Sequence, residues 1–596
     1  MSDIIGCIGK IPSRKFIING LKRIDYRGYD SAGIAFAVDG EIKIYKAIGQ
    51  AKELDKITPK SMRPTQGIGH IRWASHGGIT IDNCHPVTSN SGLITLVHAG
   101  SIENCRILRE TLRNKDFEFK GDTDSEVVAN LIEFAYNFRA HKDIIETIKY
   151  VMKYLEGSYS IAFLLSGDTE HIYILKKQAP LFVGKGVGFH VFASNIECIE
   201  NDTNLIYSLK DSEFGVLSKY DFDLFDEEGK EIKPEFVKST RGSNNHELGS
   251  YKHYFLKETD EIPGYLQKIY SFRKEKNNPF ISKQIYKVVR DASHIIVTGC
   301  GSSLYPALMA GRLFIRGNKF VTATSTTEWN YSPIAIGSKP VHILLSQSGE
   351  TLDVLKALKI SKKKHITTIG ITNVKGSSLA VEADYSIFLD AGEEVAISET
   401  KSYFAETAVL GLLTAMIAGK ENEFYKTICT AMNIIEDIQE NKKVKIEELA
   451  KQIKNYKNIT FIGRELGYDA SRAGSFIFKP LTRIYTDAIP IGEVKYSALS
   501  YLDKNSVVIG SIFNPYTAPL DRICFEQIKA RGAKLIVISC KSLSEEGDDI
   551  VVDDINHNAT TYACAPIYFY LAYYTCLELG LDPDRPRNLS KSVFEE

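Results

Sequence analysis

One arrangement occurs twice in the C-terminal half of this chain, and it restricts what that half can fold into. His294-Ile295-Ile296-Val297-Thr298 is an apolar run of strand length that enters the turn Gly299-Cys300-Gly301-Ser302-Ser303. One step later Ile343-Leu344-Leu345 enters Ser346-Gln347-Ser348-Gly349-Glu350-Thr351, after which Leu352, Val354, Leu355 and Leu358 take helical spacing. Asn458–Arg464 resembles the first of these segments and Val507–Ser511 the second. The helical stretch Ile523–Arg531 then leads through Gly532 into Lys534–Ile538, which is like Ile366–Gly370. Apolar strands alternating with helices from about residue 283 onward predict two related α/β units, each a doubly wound parallel sheet.

The two turns of the first unit carry hydroxyls, a side-chain amide and glycines at a strand-to-helix junction. Free N–H groups and the positive end of a helix favour an anion there, and the absence of Lys or Arg suits a phosphate held by neutral donors. The simpler reading of either turn alone is a serine-rich helix cap; two such turns in one α/β unit favour the anion. In the second unit the corresponding turn has become Ile512-Phe513-Asn514-Pro515, without a run of hydroxyls. One phosphate or sugar site in the first unit is therefore expected, with the second unit as its structural partner.

The first 240 residues read differently, with strands at Asp3–Ile8, Ala32–Val38, Leu93–His98, Ser160–Leu165 and His171–Leu175 and helices at Ser13–Lys22 and Asp124–Phe134. That mixture predicts layered sheets with helices packed outside them. The polar, glycine-containing stretch from Phe236 to Tyr254 reads as a linker. The resulting division is 1–240, a linker with a helical connection over 241–282, α/β units over 283–425 and 449–586, and a tail over 587–596. At 596 residues with 44% hydrophobic and 25% charged, the chain has room for several ordinary globular domains. A net charge of −1 argues against nucleic acid as a main partner. Ten scattered cysteines without a CxxC pair give no disulfide framework and no zinc motif, so no metal or cofactor is expected. The start lacks a signal-peptide pattern and no apolar run is long enough to span a bilayer, which predicts a cytoplasmic protein without a membrane partner.

Several motifs together carry a family resemblance. They are Asp25-Tyr26-Arg27-Gly28-Tyr29-Asp30-Ser31-Ala32-Gly33, Ile71-Arg72-Trp73-Ala74-Ser75-His76-Gly77 and Asp122-Thr123-Asp124-Ser125-Glu126, the two anion turns, Glu399-Thr400-Lys401-Ser402 and the tail Arg585–Val593. Nearly end to end, the chain resembles the glucosamine-6-phosphate synthases, the isomerising glutamine–fructose-6-phosphate aminotransferases. The resemblance implies an N-terminal glutaminase sandwich of the N-terminal-nucleophile type, two tandem sugar-isomerase (SIS) domains and a homodimer. It implies glutamine held by Arg72, Ser75, His76, Gly77, Gly100 and Asp124. It implies a hexose phosphate such as fructose 6-phosphate held by Ser302, Ser303, Ser346, Gln347, Ser348 and Thr351, with Lys591 against the sugar.

Against that pattern the chemistry-bearing positions depart. The family nucleophile is an N-terminal cysteine whose own amine is the base; here Ser2 stands at that position, followed by Asp3. The family's Asn-Gly oxyanion pair is Ala99-Gly100, and Cys7 lies too far along to combine a thiol with a free α-amine. The isomerase Lys and general-base Glu correspond to Ile477 and Pro480, and the ring-opening His corresponds to Tyr496. Glu399 stands where the family usually has a small hydroxyl residue. It reads as a replacement acid/base, as a solvated carboxylate, or as a partner for Lys401 or Lys591. Cys300 reads as a packing residue, and Glu493 with Lys495 as either site groups or an ion pair. The sequence thus predicts retained binding with the amidotransferase and isomerase chemistry impaired or replaced. Its alternatives are a divergent sugar-phosphate isomerase or deglycase using Glu399 and Lys591, or a non-catalytic sensor or partner of an active synthase.

Overall fold

The computed structural model describes the chain apart from residues 1, 26, 27, 29, 39, 75, 76, 200, 201, 239–247, 275–279, 557–558 and 590–596. Ser75, His76 and Lys591 therefore lie outside the described residues. The chain divides into two units, one over residues 1–246 and one over Glu247–Leu589.

In the first unit three separate apolar clusters define four layers. An eight-stranded antiparallel sheet has β1 (Asp3–Gly9) near its middle, beside β2 (Gln66–Arg72). A seven-stranded antiparallel sheet contains β3 (Ile94–Ile102). Ile4, Ile8 and Ile68 of the first sheet meet Val97, Ala99 and Ala162 of the second in one cluster. Alternate residues of β1, Ile5 and Cys7, pack instead against Ile17 and Leu21 of the helix Ser13–Arg23. Likewise Leu96 and Ile102 of β3 face α1 (Asp124–Phe138), whose Val127, Val128 and Leu131 are buried. Strand residues buried on both faces need a partner layer on each side, which yields helix–sheet–sheet–helix. α1 starts at Asp124 because Thr123 Oγ1 accepts from the Glu126 N–H at 3.3 Å, an N-cap.

In the second unit the predicted repeat is present strand for strand. Its first half runs β4 (His294–Gly299), α2 (Leu304–Arg316), β5 (Val321–Ser325), β6 (Pro340–Leu345), α3 (Leu352–Lys363), β7 (Thr367–Thr372), β8 (Tyr385–Phe388) and α4 (Lys401–Ala418). The second half runs β9 (Asn458–Gly463), α5 (Leu466–Thr482), β10 (Tyr485–Pro490), β11 (Val507–Ile512), α6 (Ala518–Lys529), β12 (Lys534–Cys540), β13 (Ile550–Val552) and α7 (Thr560–Glu578). Both sheets are parallel and five-stranded, ordered β5-β4-β6-β7-β8 and β10-β9-β11-β12-β13. α4 and α7 lack a polar face, and a helix apolar all round must be covered all round. They are the centre of a core that takes in strands of both halves, with Phe404, Leu410, Tyr568 and Phe569 fully buried. Among the described residues no helix is long and apolar enough to cross a membrane.

The stretch read as a linker is partly built into elements. Val237–Lys238 pairs with Leu205–Ile206, and a helix begins at Tyr254. That helix is capped by Asp584, which accepts from the Tyr254 and Phe255 N–H groups at 2.9 and 2.8 Å.

Candidate functional site

The sheet order fixes where an anion can sit in the first half. β4 lies between β5 and β6, so the chain leaves β4 toward one side and crosses back to the other. At this reversal, at the carboxyl ends of the strands, a parallel α/β sheet opens its crevice. Gly299 pairs with Leu345 across β4 and β6, which sets the turns Cys300–Ser303 and Ser346–Thr351 side by side.

Each turn depends on a glycine with left-handed backbone, Gly301 at φ +56° and Gly349 at φ +69°. In the second turn Ser346 Oγ and Thr351 Oγ1 lie 2.9 Å apart, and the Gly349 N–H donates to Ser346 Oγ at 3.0 Å. The Gln347 carbonyl accepts from the Asn373 N–H at 3.0 Å and Thr372 Oγ1 at 3.2 Å, pinning the turn to the end of β7. Glu350, an acid inside an anion turn, is turned aside: its carboxylate accepts from Ser378 N–H and Oγ at 2.8 Å each. Cys300 packs against the apolar cluster containing Leu344 and Val354, and burial pushes its thiol up to about 11. It is a packing residue, as the sequence reading had it.

Behind the first turn stands a group that sequence reasoning missed. Ser303 Oγ donates to Glu406 Oε1 at 2.9 Å. Glu406 is fully buried on α4, and its Oε2 has no hydrogen-bond partner. Burial first, and then the charge of Glu399, hold its carboxyl well above the usual carboxylate range, with Glu394 adding to the shift. Glu394 accepts from Thr400 N–H and Oγ1 at 2.7 and 3.0 Å and from Ser402 N–H and Oγ at 3.2 and 2.6 Å. Lys401, one of the two partners considered for Glu399, instead reaches Glu261 Oε2 at 2.6 Å. The missed signal was an acid at an interior position of a helix whose neighbours are apolar; such a residue needs a reason to be buried.

The second half has the same crevice, a small pocket with a charged pair of the chain's own in its lining. Arg464, after β9, donates through Nε and Nη2 to Asp521 Oδ1 at 2.9 and 2.8 Å, while Thr517 Oγ1 donates to Asp521 Oδ2 at 3.0 Å. Asp521 lies in the first turn of α6, so the chain's own carboxylate lies where a helix start favours an anion. Beside it Glu465 adopts φ +50°, ψ −118°, a conformation that glycine ordinarily supplies and that Gly301 shares in its positive φ. Such strain costs about 1–3 kcal/mol, whereas the half-exposed Glu465–Arg316 pair at 3.0 Å returns at most about 1 kcal/mol. Glu465→Gly is therefore expected to leave the thermal midpoint of the second unit unchanged or raised; a fall of several degrees would refute the strain.

The positions that the resemblance aligns with the family's isomerase residues hold an aliphatic side chain, a proline and a phenol. Ile477 is buried in the shared core, Pro480 lies in the last turn of α5, and Tyr496 is 72% exposed. Lys495 Nζ lies 4.9 Å over the Tyr496 ring, and no ion pair joins it to Glu493.

In the first unit Asp3 pairs with Ile71, so Ser2 falls beside the end of β2, where Ser2 Oγ donates to the Trp73 carbonyl at 3.3 Å. Arg72 Nη1 and Nη2 donate to the carbonyls of Gly78 and Gly77 at 3.1 and 3.3 Å. Burial lowers its pKa, opposed partly by the charges of Asp30 and Asp124. Asp124 Oδ2 accepts from the Ile102 N–H at 3.0 Å, tying the start of α1 to the end of β3. Gly100 has φ +134°, and a Cβ there would meet the Ser158 carbonyl oxygen at 2.1 Å. Ala99 faces the core between the sheets and offers no amide. His70 and His85, not singled out from sequence, stack at 3.9 Å beneath β3, and burial keeps both imidazoles neutral.

Comparison with known proteins bears on both units. A glutamine amidotransferase domain model matches residues 79–201, and an SIS domain model matches 289–416 and again 452–579. Glutamine–fructose-6-phosphate aminotransferase [isomerizing] from Staphylococcus epidermidis is 34% identical over 606 residues, covering all of both chains. The chain belongs to that aminotransferase family. The same enzyme of Streptococcus agalactiae is 32% identical over 614 residues and that of Bacillus subtilis 33% over 605, again with full coverage of both chains. Among solved structures, the C-terminal domain of glucosamine-fructose-6-phosphate aminotransferase from Francisella tularensis covers 56% of this chain and 99% of its own, with TM-score 0.52 and 24% identity. A putative tagatose-6-phosphate ketose/aldose isomerase from Clostridium novyi covers 57% and 94%, with TM-score 0.51 and 16% identity. These two likenesses speak to the fold of the second unit alone.

Proposed function

We propose that this family member binds a hexose phosphate, such as fructose 6-phosphate, and that the family's amidotransferase and isomerase reactions are impaired or replaced in it. The observation that carries the first part is the paired turn at the strand reversal. There Ser302, Ser303, Ser346, Gln347, Ser348 and Thr351 surround left-handed Gly301 and Gly349, with the turn's only acid drawn away to Ser378. Neutral hydroxyl and N–H donors at a helix start suit a dianion of this kind. Glutamine is the second ligand, gripped by Arg72, Gly77, Gly100 and Asp124 with Ser75 and His76. Support for altered chemistry comes from Ser2, Ala99, Ile477, Pro480 and Tyr496, five positions without the thiol, amide, amine, carboxylate or imidazole of the family pattern. Glu399 and Lys591 are the groups through which a replacement proton transfer would run, and the protein acts as a homodimer.

The test combines calorimetry with a product assay on the full chain. Fructose 6-phosphate is expected to bind and fructose is not, while glutamine plus fructose 6-phosphate yields glutamate and amino-sugar phosphate at less than a hundredth of the rate of an active relative. Failure to bind any hexose phosphate removes the first part. Product formation at a relative's rate removes the second.

A further inference from the structure

Ser303 has one hydroxyl hydrogen, and two acceptors want it. With Glu406 charged it points to Glu406 Oε1, 2.9 Å away. A serine in an anion turn, however, serves a phosphate only as a donor. The conflict disappears when the hydrogen between Ser303 and Glu406 belongs to the glutamate. Among the described residues the charged groups that act on Glu406 are acidic, those of Glu399 and Glu394, from the loop ahead of α4. From the helix Ile262–Ser271 the facing group is the buried phenol of Tyr265, whose O–H donates to the Leu389 carbonyl at 2.8 Å. Lys401, at the start of Glu406's own helix α4, is held by Glu261. The second oxygen of Glu406, buried and without a partner, fits a carboxylic acid far better than a carboxylate, because a buried ion left unpaired is among the costliest arrangements in a fold.

We propose that Glu406 is a neutral carboxylic acid that donates its proton to Ser303 Oγ and so turns the Ser303 hydrogen outward onto a bound phosphate, coupling anion binding at this turn to protonation of Glu406. The proposal rests on the phosphate reading above. Its balance is simple. Where Glu406 has lost its proton in the free protein, binding takes one proton from water onto the carboxylate, and no other bond changes. Glutamine at 406 would preserve the shape and donate through its amide N–H at every pH.

The experiment is calorimetric titration of the full chain with fructose 6-phosphate from pH 6.5 to 9, in two buffers of different ionisation heat, for wild type and Glu406→Gln. Wild-type affinity is expected to fall by up to about tenfold per pH unit once Glu406 titrates, with proton uptake approaching one per site. Glu406→Gln is expected to bind with no fall beyond the ligand's own titration. Equal pH profiles and equal uptake in both proteins overturn the coupling and leave the phosphate site standing, as does a glutamine variant that alone fails to bind. Absence of binding in both removes the phosphate reading and the coupling with it.

A second measurement needs no ligand. In the unfolded chain Glu406 ionises near the ordinary value of 4.5, and in the fold only far above it. Between those points folding must take up a proton, so the stability Glu406 contributes falls as pH rises. The thermal midpoint of Glu406→Gln relative to wild type is expected to climb with pH from about 4.5 upward. A constant difference means that Glu406 is ionised in the fold, and overturns the proposal.

Discussion

Converting Ser2 to Cys and Ala99 to Asn together is expected to raise glutamine hydrolysis by about 10²–10³-fold over wild type, read as glutamate release from protein whose Met1 has been removed. The expectation follows from how much of the neighbouring geometry is intact. Asp3 is in register with Ile71, so residue 2 already lies next to Arg72 and Trp73. Gly100 already has the positive φ that keeps its strand clear of Ser158. Asp124 is fixed at a capped helix start by the Ile102 N–H. Two things are lacking: a nucleophile that ionises near neutrality, and an amide donor at position 99. A thiol of pKa about 8.5 supplies the first, where a hydroxyl leaves the amine base with far more work. Asparagine supplies the second. The single variants are expected to recover less than the pair, because nucleophile and oxyanion donor act on the same transition state. A double variant no faster than wild type would show that the barrier lies elsewhere, with Asp3 the first place to look.

Gly349→Ala is expected to lower hexose-phosphate affinity by at least tenfold and to reduce the thermal midpoint of the second unit. A left-handed conformation costs a non-glycine residue about 1–2 kcal/mol. A Cβ would also lie 2.1 Å from Ser377 Oγ and 2.8 Å from Thr372 Oγ1, the hydroxyl that holds the Gln347 carbonyl. Relieving that clash moves the turn off β7 and breaks the spacing of Ser346 and Thr351. Undiminished affinity, measured by the same calorimetry, would mean that the phosphate is held elsewhere.

The sequence was most informative where structure depends on local pattern. The tandem α/β repeat was visible because apolar runs such as Ile343–Leu345 sit at fixed offsets from their turns, and the observed strand orders of the two halves agree. The layered first domain was visible as a class, although the allocation of strands between its sheets depends on long-range pairing, such as Ile5 with Ala193, which no local pattern encodes. Legibility dropped for side chains whose role depends on a distant partner. Glu406 reads as one more helix residue until Ser303, 103 positions away, is placed against it. Asp521 reads as a surface acid until Arg464 reaches it. Of the two readings left open for Glu493 and Lys495, the ion pair is not formed: both side chains are exposed on a short helical turn, where water competes well for each charge.

The Arg464–Asp521 pair has a consequence for stoichiometry. A duplicated α/β fold begins with two equivalent anion crevices, and a chain with two would show two binding steps and give one half leverage over the other. Here the second crevice carries an ion pair made by the chain's own side chains, Arg464 and Asp521, where the first carries neutral hydroxyls. With the proposed phosphate site at Ser302–Thr351 and the Arg464 charge already paired, a hexose-phosphate titration of this chain is expected to show a single step. The duplicated fold would then hold one crevice that reads an anion and one whose charge the chain balances within itself.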